Sequence, residues 1–190
     1  MLNFFHQTNL SFLTPELKKS ILDLVDFELH HDLVTTDHQL PNATAFIFLK
    51  LPQLLNDEVL GLLPGSLVNP EFDPFIRVQY TANGNVHPHI DRGRISGILT
   101  VLTDDCSQSD FYEWRSGASQ HLVEDMMVAD LNEIVHQGST VLEQDKTYLF
   151  NHAAIHDVTA GANPRITLNI LYRSLSYRKL VEIYSSLQNQ

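Results

Sequence analysis

His89 and Asp91 stand two residues apart in His89-Ile90-Asp91. In extended chain, side chains at that spacing leave the same face, with Cα atoms roughly 6.5–7 Å apart. An imidazole nitrogen and a carboxylate oxygen can then meet at one ion. A third ligand from a distant strand would complete a face of two histidines and one carboxylate, leaving the opposite positions open. That donor set suits ferrous iron; zinc more often takes three or four histidine and cysteine ligands, and the chain has one cysteine, Cys106.

The pair alone is weak evidence. Ten histidines in 190 residues, with the aspartates present, give about 0.7 such pairs by chance, so context must select. His30-His31-Asp32 contains another; it follows a helix and lacks strand patterning, so it reads as solvated surface. The pair at 89 and 91 has better neighbours. Before it lies a strand, Phe75 to Tyr80, and the turn Ala82-Asn83-Gly84-Asn85; after it, the apolar β-branched run Ile95 to Leu102. The chain returns through Thr147-Tyr148-Leu149-Phe150 to two further histidines, His152 and His156, and then to Arg165-Ile166-Thr167. Over Arg165 to Tyr172, alternation sets Arg165, Thr167, Asn169 and Leu171 on one face and Ile166, Leu168, Ile170 and Tyr172 on the other.

The remaining elements are supports. Thr14-Pro15-Glu16 opens a helix with an N-cap, a proline at the first helical position and an acid near the dipole. Leu17, Ile21, Leu22, Leu24 and Val25 give it an apolar stripe. Ala45 to Leu51 reads as a buried strand, Pro52 to Leu63 as a helix, Asp110 to Trp114 as a short strand, and Arg178 to Leu187 as a weakly helical tail. Gln120 to Gly138 shows no clear period. Helices followed by short strands indicate an α+β fold with a β-sandwich or small barrel. One domain is expected over 1–190: support in 1–70, a β core in 71–175 interrupted by an insertion around 104–142, and a tail from 176.

In order, spacing and strand context, residues 75–172 resemble the double-stranded β-helix (jelly-roll, cupin-like) core of the Fe(II)/2-oxoglutarate-dependent dioxygenases. That family has His-x-Asp, a distal His often followed by x-Val, and an arginine nine or ten residues later. His87-Pro88-His89-Ile90-Asp91-Arg92-Gly93-Arg94 and His156-Asp157-Val158 through Pro164-Arg165-Ile166-Thr167-Leu168 are most similar to the aspartyl/asparaginyl β-hydroxylase-like and proline hydroxylase branch. The resemblance implies that His89, Asp91 and His156 hold Fe(II), and that His152 stands too far from Arg165 to be the distal ligand. It implies that Arg165, with Thr167 and Tyr80, seats 2-oxoglutarate. It also implies an O₂-dependent hydroxylation of an amino acid, peptide side chain or small metabolite, with 2-oxoglutarate decarboxylated to succinate. Asp91, a carboxylate where halogenases need an open position, argues against halogenation. Arg92 and Arg94 are candidates to meet a substrate carboxylate or the C1 carboxylate of the cosubstrate, and His87 is an adjacent candidate.

Two other readings compete: an AlkB-like nucleic-acid demethylase and a non-catalytic cupin-like metal-binding module. A net charge of -11, from 12 basic and 23 acidic residues, disfavours nucleic acid, whose phosphates reward a basic face. Against the binding module stands Arg165, which a simple metal site does not require. One cysteine permits no internal disulfide, and neither a signal-peptide pattern nor a membrane-length apolar run appears. A cytoplasmic protein is therefore expected; the oligomeric state and the organic substrate are left open.

Overall fold

The computed structural model describes residues 4–30, 46–81, 85–91, 93–104, 107–115, 121–123, 126–128, 130–159, 161 and 163–189. Among the described residues, twelve strands form two six-stranded sheets. In chain order these are β1 (Phe5–Gln7), β2 (Phe46–Leu49), β3 (Pro74–Thr81), β4 (Asn85–Asp91), β5 (Ser96–Val101) and β6 (Gln108–Trp114). They continue as β7 (His121–Val123), β8 (Met126–Val128), β9 (Ile134–Val141), β10 (Thr147–Phe150), β11 (Ile155–Thr159) and β12 (Arg165–Tyr172). The first sheet runs β1-β10-β5-β12-β3-β2 and the second β7-β8-β4-β11-β6-β9, every pairing antiparallel. Three α-helices, α1 (Pro15–His30), α2 (Gln53–Gly61) and α3 (Tyr177–Gln188), complete an α+β fold. Among the described residues, no helix is long and apolar enough to cross a membrane.

Alternation along β12 explains the architecture. All eight of its residues are buried, because both faces of the first sheet are covered. On the outer face Ile166, Leu168, Ile170 and Tyr172 join Ile76, Val78, Ile98 and Leu149, and meet Leu17, Ile21 and Val25 of α1, Val59 of α2, and Leu180 and Tyr184 of α3. A sheet buried on both sides must be built from strands without a solvent face. Toward the second sheet, Leu99, Val101, Tyr148 and Phe150 pack against Phe111 and Leu142, closing one end of the space between the sheets. Arg165, Thr167 and Asn169 share this inner face.

Local signals fix the supporting helices. The Thr14 hydroxyl accepts from the Leu17 backbone N–H at 3.1 Å, the capping bond expected of it. The tail is a 12-residue helix whose Ser176 side chain accepts from the Lys179 N–H. Its propensity is modest, but Leu180 and Tyr184 are buried, and the Tyr184 hydroxyl accepts a 2.8 Å bond from the Asn9 N–H. Packing supplies the helicity that the sequence pattern left weak.

The stretch without a readable period is where the structure adds most. Residues 104–142 contain β7, β8 and β9, half the strands of the second sheet, besides β6. The exposed edge strand β9, IVHQGSTV, buries only Ile134 fully, so no alternation shows. A register shift between Phe111 and Tyr112 breaks the pattern of its partner β6. β8 pairs directly with the motif strand, Val128 opposite His89 and Met126 opposite Asp91. The turn expected at 82–85 lies outside the described residues apart from Asn85, which opens β4; of the decoy, His30 ends α1, and His31 and Asp32 lie outside the described residues.

Leu168 is fully buried between the first sheet and the helices. Leu168→Ala is expected to lower unfolding free energy by about 2–5 kcal/mol, read from the midpoint of urea unfolding.

Candidate metal centre

β4 and β11 are neighbours in the second sheet, and their register sets His89 directly opposite His156. Cross-strand partners bring their side chains together on one face, and the two imidazole centroids lie 4.5 Å apart. Asp91, two residues beyond His89, shares that face. All three are buried, and their ligand atoms lie within 4.8 Å of one another. His89 Nε2 is 3.6 Å from Asp91 Oδ1, and His156 Nε2 is 3.6 Å from Asp91 Oδ2. These separations are too long for hydrogen bonds and suit atoms facing a common centre.

The backbone determines which nitrogen faces it. His89 Nδ1 lies 2.7 Å from the His87 carbonyl oxygen, and His156 Nδ1 lies 2.9 Å from that of Ala154. A carbonyl only accepts, so each Nδ1 carries a proton, and in the neutral ring it is then Nε2 that offers the lone pair. This is the tautomer a metal needs, with the outer bond orienting the ring. Burial, with His89 alongside, also pushes His156 down to about 3. Neutral imidazoles and one carboxylate are the donors that bind a divalent cation.

Asp91 is held from three sides. Its backbone N–H donates to the His152 carbonyl at 3.2 Å. His152 Nδ1 returns a 2.6 Å bond to Asp91 Oδ2, and Arg94 Nη2 donates to Oδ1. Burial alone would raise this carboxyl's pKa; the Arg94 charge and the His152 hydrogen bond outweigh it and hold the group well below its usual range. Asp91 is therefore an anion in a buried site.

The cleft around the triad is lined by Phe48, Gln79, Arg94, His152, Arg165 and Asn169, among others. Its free space is about 30 Å³, the scale of an ion and a water or so, so a larger ligand enters only if side chains move. Arg165, 7 % exposed, donates to Ser107 Oγ at 3.2 Å. Thr167 is buried two residues along, and its hydroxyl accepts from Asn169 Nδ2 at 2.9 Å.

Three expected site residues fall elsewhere or outside the described residues. Tyr80 pairs with Ile166 and packs with the helix-covered cluster. It belongs to the alternating set Ile76, Val78, Tyr80, so its ring leaves the opposite face from Arg165. Gln79, one residue earlier, takes the inner position. His87 is exposed. The register from His156–His89 to Val158–Val86 spans two residues of β11 and three of β4; this bulge at Pro88 turns Val86 inward in its place. Arg92 lies outside the described residues.

Sequence reasoning also missed two functional partners. His152 is not one of the three converging groups, but it fixes Asp91. Gly97 makes room for it: a Cβ there would stand 3.0 Å from His152 Nε2, 3.0 Å from the Ile170 carbonyl oxygen and 3.2 Å from Leu171 Cδ2. No spacing in the sequence signals either role, because both arise where β5 crosses beneath the 151–154 turn.

Two outcomes follow from this geometry. Gly97→Ala is expected to destabilise by about 1–3 kcal/mol, read as a lowered melting temperature; an unchanged value would show that His152 has room to shift. The buried neutral His156 predicts pH dependence in metal-chelated protein. Below about pH 6.5 the unfolded chain binds a proton that the folded chain refuses, so stability falls as pH drops from about 6.5 toward 3. Asp91, depressed, keeps its contribution above about pH 4 and loses it only as pH falls through its folded value. His156→Asn should flatten the upper part of that decline in melts taken from pH 7 to 4.

No protein-family model and no curated protein matches the sequence. Solved structures do. The chain is similar to the epimerase SnoN, crystallised with Fe3+, alpha ketoglutarate and nogalamycin RO, at 12 % identity and a TM-score of 0.60, covering 90 % of this chain and 78 % of that one. It is similar to a Pseudomonas putida prolyl-4-hydroxylase at 10 % identity and a TM-score of 0.55, covering 92 % and 95 %. A Trichoplax adhaerens prolyl hydroxylase, in complex with a hypoxia inducible factor peptide fragment, aligns at 16 % identity and a TM-score of 0.55, covering 94 % and 87 %. At these identities the likeness is one of architecture, and it agrees with the paired sheets and the triad: the chain has the double-stranded β-helix fold of the Fe(II)/2-oxoglutarate-dependent oxygenases.

Proposed function

We propose that this chain is an Fe(II)- and 2-oxoglutarate-dependent dioxygenase that hydroxylates an unactivated C–H bond of an amino acid, peptide side chain or small metabolite. The observation that carries the reading is the convergence of two Nε2 lone pairs and one ionised carboxylate in a buried cleft that also contains a buried arginine. The donors fit ferrous iron: two neutral imidazoles and a monoanion occupy one face and leave the other for exchangeable ligands.

His89, Asp91 and His156 would hold the ion. When bound, ferrous iron supplies the activation of O₂ that couples oxidative decarboxylation of 2-oxoglutarate to C–H oxidation. The balance is 2-oxoglutarate, O₂ and R–H giving succinate, CO₂ and R–OH. Arg165 offers the planar guanidinium that pairs bidentately with the distal carboxylate, and Thr167 contributes a hydroxyl on the same face. The inner-face residue of β3 that can reach this cosubstrate is Gln79, not Tyr80. His152 and Arg94 keep Asp91 charged and oriented.

Hydroxylation is the finer part of the reading, since the structurally similar proteins include the epimerase SnoN and a carbocyclase, SnoK. Asp91 supports oxygen return rather than halide transfer, because it fills the position a halide would need. The competing readings gain nothing from the structure. Arg173, the second arginine a nucleic-acid demethylase would require, pairs with Asp73 at 3.0 Å and stacks over Phe75; it is not among the cleft-lining residues. A bare metal-binding module gives no reason to bury Arg165 in the cleft.

Anaerobic Fe(II) is expected to bind stoichiometrically, and added 2-oxoglutarate should give a weak visible charge-transfer band. Asp91→Ala should abolish the band. Arg165→Ala should raise the half-saturating 2-oxoglutarate concentration by about 100-fold or more, the scale of losing one partner of a buried ion pair. An unchanged requirement would assign Arg165 to structure alone. Succinate release, screened over free amino acids, peptides and metabolites, tests the activity itself.

A further inference from the structure

Arg94 is a half-buried cation with more donors than partners among the described residues. Its side chain is 16 % exposed and its Nη2 donates to Asp91 Oδ1. The guanidinium carbon lies over the Phe48 ring, 4.9 Å from its centroid. Its Nε is buried and has no hydrogen-bond partner among the described residues. A buried charged donor without an acceptor is costly, and it lines the same cleft as the triad.

Strand register places the main chain of Arg94 at the opposite end of β12 from Arg165, while its guanidinium lies over Phe48, in the row Phe48–Gln79–Thr167. Arg165 opens β12, whereas Arg94 precedes β5, whose Ser96 pairs with Tyr172 at the far end of β12. In the oxygenase reading Arg165 takes the distal carboxylate of the cosubstrate, which leaves Arg94 for a different anionic group. Nor can Asp91 neutralise Arg94 by itself. Its single negative charge is shared with the His152 hydrogen bond and, in the oxygenase reading, with a divalent ion. One cation beside the reacting position is then left short of a counter-charge.

We infer that Arg94 anchors a free carboxylate of the organic substrate, which makes the substrate class a small carboxylic acid, such as an unblocked amino acid. The inference rests on the oxygenase reading and narrows it. The planar guanidinium over Phe48 suits a bidentate pair with a carboxylate. Asn169 and Gln79, which also line the cleft, offer amide groups to the rest of the molecule. The same arrangement disfavours internal residues of a peptide, whose carboxylates are tied up in amide bonds.

The test uses the full chain in its anaerobic complex with Fe(II) and 2-oxoglutarate. Free L-amino acids and their matched carboxamides are titrated, with binding read by calorimetry and by perturbation of the charge-transfer band. Acids should bind, and each matched amide should bind about 100-fold more weakly. Arg94→Gln should weaken the acids about 100-fold more than it weakens the amides, while Arg94→Lys should recover part of that difference. Equal binding of acids and amides would overturn the inference, as would a panel in which neither binds. If Arg94→Gln instead raises the 2-oxoglutarate requirement and spares the acids, the residue serves the cosubstrate and the inference fails. Loss of the band in both Arg94 variants would assign Arg94 to holding Asp91. Absence of the band in the unaltered chain sinks the oxygenase reading itself, a result distinct from all of these.

Discussion

The antiparallel pairing of β4 with β11 is the constraint on which the rest of the site depends. It sets His89 opposite His156, and strand geometry then makes their rings neighbours. Neither could serve as a donor if the rings were free to turn. The carbonyls of His87 and Ala154 prevent this by taking both Nδ1 protons. The triad is thus arranged by main-chain geometry before any ion arrives, which spares the ordering that flexible ligands would require.

Asp91 completes the centre and depends most on its surroundings. A carboxylate this buried would protonate if left alone; the Arg94 charge and the His152 hydrogen bond keep it ionised. The first sheet contributes indirectly, because Gly97 in β5 leaves the space that His152 fills. The helices act at greater distance. α1, α2 and α3 cover the outer face of the first sheet, so its inner face is free to carry Arg165, Thr167 and Asn169 among apolar neighbours. Polar residues at alternate positions of a fully buried strand are costly unless satisfied. Here Arg165 bonds Ser107 and Asn169 bonds Thr167.

The structurally similar proteins place this architecture among enzymes of different outcomes, an epimerase and prolyl hydroxylases among them. One scaffold supports different reactions, so the outcome depends on the side chains that face the cleft. Arg94, stacked on Phe48 from edge strand β2, is one such side chain.

How much was legible in the sequence follows from which periods are local. Alternation in β12 assigned Arg165 and Thr167 to one face and Ile166 and Leu168 to the other, and the same rule applied to β3 would have sent Tyr80 to the helix side with Ile76 and Val78. Capping chemistry at Thr14 located the first helix. The strands β7, β8 and β9 were illegible, because short or half-exposed strands have no apolar period to read. His152, Gly97 and the bulge at Pro88 were illegible for another reason. Each acquires its role only when segments 55 or more residues apart in the chain, such as β5 with the 151–154 turn or β4 with β11, come into register. Residue types and local spacing determined which donors were available and which face each occupied. Only the tertiary pairing decided which of them meet, because hydrogen-bond register between distant strands is set by the packing of both sheets and not by either strand alone.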